Sequence, residues 1–390
     1  MNFRFPLATS SWDQSEIDAI HRVISSDFYT MGNEVLTFEK QFASYFGSQF
    51  AVMVNSGSSA NLLMIAALFY TKNDTLKLKQ GDEIIVPAVS WSTTYYPLQQ
   101  YGLHLKFVDI DLNTLNYDLD ALERAVSEKT RAIMAVNLLG NPNDFDKIFQ
   151  IIGDRNITLI EDNCESMGAT FNGKQAGTFG VMGTFSCFFS HHISTMEGGV
   201  VVTDDEELYH LLLALRAHGW TRNLPKFNHL IGEKSDDPFE ESFRFVVPGY
   251  NVRPLEMSGA IGIEQLKKLP ELISGRRKNG LLFQNKFADN SKFLIQKEIG
   301  CSSWFGFSLL LRKEANIQRK EFVRELTHLG FECRPIVGGN FAKNEVMKYF
   351  DYSISGELKN TEYLDKYGLF IGNHHYPLED AVEKLSQIIN

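Results

Sequence analysis

The regular alternation of short apolar runs with helix-length segments, from residue 50 to residue 203, constrains this chain most. Phe50–Val54, Glu83–Pro87, Leu105–Asp109, Ala132–Asn137, Thr158–Glu161, Thr184–Phe188 and Val200–Thr203 have the length and apolar, β-branched content of strands. Ser58–Tyr70, Leu119–Ser127 and Asn143–Gly153 lie between them and carry helical periodicity. Strand–helix alternation predicts an α/β fold with a mostly parallel sheet and helices on both faces. In such sheets ligands bind beyond the carboxyl ends of the strands. The residues that follow each strand are therefore the first candidates for a site.

After Arg216 the pattern changes. Trp220 to Asp237 is polar and irregular and reads as a long, functional loop. A helical region runs from Pro254 to about Phe287. A strand (Trp304–Leu311), a helix (Ile317–Leu329) and a further strand (Phe331–Ile336) then predict a smaller α+β lobe. A chain of 390 residues is long enough to divide into two lobes. The expected division is an N-terminal segment plus large domain over 1–250 and a small C-terminal domain over 251–390. A formal net charge of −10 does not favour a nucleic-acid partner, which asks for a basic stripe. Cys164, Cys187, Cys301 and Cys333 lack cluster spacing, which argues against an iron–sulfur centre and for thiols in a reducing compartment. Met1–Pro6 does not read as a signal peptide, and the apolar stretch Leu62–Tyr70 is too short to span a bilayer. The expected location is the cytoplasm, with no membrane partner.

Four segments carry candidate chemistry. Val54-Asn55-Ser56-Gly57-Ser58-Ser59-Ala60-Asn61 follows a strand and opens a helix, where small residues and free N–H groups suit an anion; an ordinary serine N-cap explains the same pattern. Pro87-Ala88-Val89-Ser90-Trp91 places Trp91 where it can stack on a flat ring or serve as a core aromatic. Thr158-Leu159-Ile160-Glu161-Asp162-Asn163 ends a buried strand in two carboxylates; Asp162 suits a protonated ring nitrogen, or it simply caps the next turn. The run from Gly183 to Gly199 reads strand, polar loop, Gly-Gly, strand, and holds the pair His191-His192. No carboxylate or cysteine stands at metal-ligand spacing from that pair, so no metal is expected.

Taken in this order, the motifs resemble the DegT/DnrJ/EryC1/StrS sugar aminotransferases. Asp27-Phe28-Tyr29-Thr30-Met31-Gly32, Gly249-Tyr250-Asn251-Val252-Arg253-Pro254 and Gly259-Ala260-Ile261-Gly262-Ile263-Glu264-Gln265-Leu266 extend the resemblance over nearly the whole chain. It implies a pyridoxal 5′-phosphate (PLP)-dependent transferase of fold type I, aspartate aminotransferase-like. It also implies that Asp162 partners the pyridine nitrogen and Trp91 stacks on the ring. Gly57, Ser58 and Ser186 match phosphate ligands, and Glu165 stands where relatives place a polar residue near the cofactor hydroxyl. Asn251 matches a residue that reaches the phosphate from a neighbouring subunit, which implies a homodimer with shared sites.

One departure redirects the functional expectation. The family's Schiff-base lysine stands six residues before the Glu of Glu-Gly-Gly; six before Glu197 is His191, and no lysine lies between Lys174 and Lys226. Histidine cannot attach the cofactor covalently, but it moves protons near neutral pH. The substitution resembles the PLP-dependent 3-dehydratases of dideoxysugar synthesis, on the GDP-linked branch that leads to colitose, a lipopolysaccharide O-antigen sugar. By that resemblance, L-glutamate first converts PLP to pyridoxamine 5′-phosphate, and the amine then takes the C4 ketone of GDP-4-keto-6-deoxy-D-mannose. His191 acts as base, the C3 hydroxyl leaves, and hydrolysis yields ammonia and a 3-deoxy ketosugar. A nucleotide-sugar aminotransferase with a nonstandard base and a vestigial PLP-binding regulatory protein stand as alternatives. Arg222, Arg253 and Arg334 are candidates for binding the glutamate carboxylate or the diphosphate, or for structural ion pairs.

Overall fold

In the computed structural model, which describes residues 3–389, all seven of the expected strand runs form strands. They are β1 (Phe50–Val54), β2 (Glu83–Pro87), β3 (His104–Val108), β4 (Thr130–Val136), β5 (Thr158–Asp162) and, after a short ribbon of β6 (Thr170–Phe171) and β7 (Lys174–Gln175), β8 (Met182–Ser186) and β9 (Gly199–Thr203). The later strands are the ribbon β10 (Phe227–Asn228) and β11 (Gly232–Glu233), then β12 (Phe293–Leu294), β13 (Gly306–Leu311), β14 (Cys333–Arg334), β15 (Tyr352–Ile354) and β16 (Gly368–Gly372). The large sheet has the order β1-β9-β8-β5-β4-β2-β3-β15. Neighbours from β8 to β15 run parallel, whereas β9 is antiparallel to both β8 and β1. The smaller antiparallel sheet has the order β12-β13-β16-β14.

Helices cover the large sheet because its strands are apolar on both faces: every residue of β2, β5, β8 and β9 is buried. The helix that opens the anion loop, α3 in chain order after α1 (Gln14–Ser26) and α2 (Asn33–Phe46), spans Gly57–Tyr70. It is apolar all round, as a helix enclosed on all sides must be, and packs against β8, β9 and the helix Glu206–Arg216. The 32-residue helix Glu256–Phe287 lies along α1 and α2 and runs on into the smaller lobe, where Phe283 stacks on Phe307 at 4.3 Å. Among the described residues no helix is long and apolar enough to cross a membrane.

Sequence periodicity missed α1 and α2. The first is started by a capping box: Asp13 accepts from the Ser15 amide at 2.8 Å, and Glu16 accepts from the Asp13 amide at 2.8 Å. The expected irregular loop after Trp220 contains the ribbon β10–β11. The expected strand Phe331–Ile336 shortens to Cys333–Arg334, because Phe331 pairs instead with Phe5 at the start of the chain.

Candidate active site

The pocket forms where the carboxyl ends of β1, β2, β4, β5 and β8 face the smaller lobe. After β1 the chain turns through Asn55 and Ser56 into α3, and the Ser56 hydroxyl accepts from the Ser59 amide at 3.1 Å. Gly57, the first helical residue, packs tightly on β8. A Cβ there would stand 2.8 Å from Ser186 Cβ and 3.0 Å from Cys164 Sγ. Gly199 makes the matching approach from β9, where a Cβ would meet the Ser56 carbonyl oxygen at 2.2 Å. The Gly-Gly pair of the sequence thus lets the anion loop seat on the hairpin β8–β9. The N-terminus of α3 and the side chains of Ser58 and Ser186 line one end of the pocket.

The carboxylate pair at the end of β5 is split by the alternation of a strand. Glu161 turns inward and accepts from the amides of Gly177, Phe179 and Gly180 at 2.6, 2.6 and 2.8 Å, tying down the loop before β8. Asp162 points the other way, to the pocket floor, only 6% exposed. Its Oδ2 accepts from Asn61 Nδ2 at 2.8 Å and from the Thr94 hydroxyl at 2.7 Å, and Oδ1 accepts from the Cys164 amide at 3.2 Å. Thr184 in turn donates to Asn61 Oδ1 at 2.7 Å, fixing that amide's orientation. Glu165 lies beside this group and accepts from the Leu139 amide at 3.1 Å. Burial pushes its carboxyl up to about 7, and the nearby Asp162 adds to the rise.

Trp91 opens the helix Ser92–Gln100 and stands 59% exposed on the pocket wall. His191 hangs from the loop between β8 and β9. That loop is held by Cys187 N to Gly198 O at 2.9 Å, Phe189 N to Met196 O at 3.1 Å and His191 N to Phe188 O at 2.9 Å. It is anchored from outside by Trp12 Nε1 on Ser194 O at 3.0 Å and by Ser194 N on Gln265 Oε1 at 2.9 Å. Burial, with a smaller contribution from the Arg276 guanidinium, lowers the His191 imidazole to about 4, so it is neutral near pH 7. His192 turns into the protein interior and pairs with the Ser303 carbonyl at 3.2 Å; it does not line the pocket.

The pocket, about 850 Å³, therefore gathers Gly57, Ser58, Trp91, Asp162, Glu165, Ser186 and His191 from four separate stretches of chain. Asn251 is not among its lining residues: it is exposed and accepts from Arg253 Nε at 3.0 Å. Of the three arginines, only Arg334 lines the pocket, next to Glu332; Arg222 lies over the Trp220 ring. Among the described residues, no lysine lines it. Asn61 and Thr94, which hold Asp162, had a readable signal: each is a polar residue on a helix one turn after a candidate motif residue. Phe305 and Glu332 come from the distant smaller lobe and gave no local signal. The described residues contain no group of three or more His, Cys, Asp or Glu placed to hold a metal.

A hollow of this kind fits PLP. Backbone N–H groups and hydroxyls stand at one end for a phosphate, a carboxylate on the floor for a ring nitrogen, and an indole on the wall for a flat ring. The model of the DegT/DnrJ/EryC1/StrS aminotransferase family matches residues 10–389. GDP-4-keto-6-deoxy-D-mannose 3-dehydratase of Yersinia pseudotuberculosis is 64% identical over 386 residues, covering 99% of this chain and 98% of that protein. Among solved structures, Escherichia coli GDP-4-keto-6-deoxy-D-mannose-3-dehydratase with bound hydrated PLP superposes with a TM-score of 0.98 at 63% identity, covering both chains fully. A GDP-4-keto-6-deoxymannose-3-dehydratase with a trapped PLP-glutamate geminal diamine gives the same TM-score at 64% identity, over 99% of this chain and 100% of that one. On the matched length and these identities, this chain belongs to the DegT/DnrJ/EryC1/StrS aminotransferase family.

Proposed function

We propose that this chain removes the C3 hydroxyl of GDP-4-keto-6-deoxy-D-mannose in the cytoplasm, using PLP and its pyridoxamine form with L-glutamate as amino donor. The observation that carries the reading is a pocket of an aminotransferase-family protein that has groups suited to PLP and, among the described residues, is lined by His191 and by no lysine. The likeness to two 3-dehydratases across almost the full chain supports the same substrate.

When bound, the cofactor supplies an electron sink beside the sugar's C3–C4 bond. Gly57, Ser58 and Ser186 hold its phosphate, Trp91 covers its ring, and Asp162, kept in place by Asn61 and Thr94, faces its ring nitrogen. Glu165, neutral at the lower end of the physiological range, offers a proton to the ring hydroxyl side. His191, uncharged near pH 7, is free to accept a proton from the carbon next to the ring and to return it to the departing C3 hydroxyl. Asn251 completes the phosphate site of a neighbouring copy, so the working unit is a homodimer with shared sites. The domain boundary belongs near residue 250, just before the long helix, with β15 returning from the C-terminal segment to the edge of the large sheet.

Mixing the PLP-loaded protein with glutamate and GDP-4-keto-6-deoxy-D-mannose tests this reading. Ammonia and 2-oxoglutarate should be released with sugar turnover in wild type, and His191→Asn should release 2-oxoglutarate in a single half-reaction without sugar-dependent ammonia. Equal ammonia release by both proteins would overturn it.

A further inference from the structure

The His191 imidazole is not oriented by a carboxylate. Ser190 Oγ stands 3.4 Å from Nδ1, at the far limit of a hydrogen bond, and Nε2 has no partner within the chain among the described residues. What touches the ring is aromatic: Phe305 lies edge-on with centroids 5.1 Å apart at 61°, and Phe188 lies at 5.9 Å and 78°. Phe188 belongs to the same loop as His191, whose amide donates to its carbonyl at 2.9 Å. Phe305 comes from the turn before β13 and lines the same pocket.

That turn is pinned at every residue. Ser303 N donates to Gly140 O at 2.9 Å, Trp304 N to Ser302 Oγ at 3.0 Å and Phe305 N to Leu139 O at 3.1 Å. Asn373 Nδ2 donates to Trp304 O at 2.8 Å, and Arg276 Nη1 to Phe305 O at 3.1 Å and Asn373 O at 2.7 Å. Trp304 is held in the left-handed region at φ +51°, unfavourable for a bulky residue, with its indole 2% exposed. Such strain persists only where the surroundings over-determine it. Arg276 is itself buried, and among the described residues it forms no salt bridge to an acidic side chain.

We propose that Phe305 is a positioning residue for His191: the pinned turn fixes the Phe305 ring, and the ring edge sets the imidazole orientation and keeps water from it. The proposal rests on the reading of His191 as the base. The charged and titratable groups near the imidazole are Arg276 from the long helix and His192 on its own loop, and those that share its pocket lining are Asp162, Cys164, Glu165, Glu197, Glu332 and Arg334. Burial and Arg276 both disfavour the charged imidazole, so opening the Phe305 face to water should let it protonate more readily.

The test uses PLP-loaded enzyme with ¹³C-labelled histidine, the His191 signal assigned by its loss in His191→Asn, together with the pH profile of kcat. In Phe305→Ala the His191 titration should rise by about one pH unit or more, and the acid limb of kcat should rise with it. Near neutral pH kcat should fall about tenfold or more through lost orientation, with KM little changed. Phe305→Leu keeps the bulk, should melt like wild type, and should shift the titration less than Phe305→Ala. An unchanged His191 titration in both variants would overturn the proposal. A moved titration with unchanged kcat would leave Phe305 as the positioning residue and remove His191 from the role of base.

Discussion

Replacing Asp162 with Asn separates the charge of that side chain from its shape. Oδ2 takes two donors, Asn61 Nδ2 at 2.8 Å and the Thr94 hydroxyl at 2.7 Å. An asparagine keeps both by placing its amide oxygen there. Its NH₂ then occupies the Oδ1 position, where it faces the Cys164 amide, now 3.2 Å from Oδ1, and the pocket. The variant thus loses one backbone hydrogen bond and the charge that faces the ring nitrogen. A hydrogen bond to a charged group is worth about 1.5–3 kcal/mol, so the fold should survive. PLP affinity should weaken by roughly 10- to 150-fold if the whole charged contact is lost. Turnover should fall further, on the order of 10²–10³-fold, because preorganised charge acts most strongly as the ring takes up electrons. Absorbance titration of the apoprotein with PLP gives the affinity, and single-turnover sugar dehydration at saturating cofactor gives the rate. A turnover within a few-fold of wild type, with PLP saturating, would show that Asp162 is not the ring partner.

Gly57→Ala drives a methyl group to 2.8 Å from Ser186 Cβ, so thermal unfolding should report a loss of about 1–3 kcal/mol, and PLP should bind more weakly; wild-type affinity would show that α3 does not approach the phosphate. Burial raises the Glu165 carboxyl from its ordinary 4.5 to about 7; a raised carboxyl stabilises the fold below 4.5, and that contribution is lost as pH rises through 7. Glu165→Gln removes this loss while keeping an oxygen for the Leu139 amide, so its Tm relative to wild type should climb between pH 4.5 and pH 8, and a pH-independent difference would refute the assignment. Borohydride reduction of the PLP-loaded protein, followed by peptide mapping, should yield no phosphopyridoxyl-lysine, because no lysine lines the pocket; one lysine modified in high yield would contradict the site.

The β-strand core was readable because parallel strands buried on both faces are short continuous apolar runs, as in β2 and β8. Of the residues that line the pocket from the large lobe, Gly57, Trp91 and Asp162 were readable because each follows or ends such a run, whereas Glu165, Ser186 and the part given to His191 came from the family resemblance. Boundaries were less so: the expected strand Thr184–Phe188 starts at Met182 and stops at Ser186, where Cys187 turns into the His191 loop. Phe305 was beyond local reading, and Arg334 was one of three arginine candidates that local pattern did not separate, since only packing of the smaller lobe brings these two residues to the pocket. Asn251 was singled out by its motif, and its exposed side chain turns to Arg253 rather than to this pocket. The approach of Phe5 to Phe331 shortened an expected strand in the same long-range way.

Product identity is the most direct measurement of what the pocket does. Purified protein with PLP, L-glutamate and GDP-4-keto-6-deoxy-D-mannose is incubated to completion, and the sugar nucleotide is analysed by mass spectrometry and NMR. With His191 as base and no lysine at the site, the product should be the GDP-linked 3-deoxy-4-keto sugar, with its C3 hydroxyl gone, ammonia released and no nitrogen retained. Accumulation of a GDP-linked 4-amino sugar with its C3 hydroxyl intact would show an aminotransferase instead, and would contradict the assignment of His191.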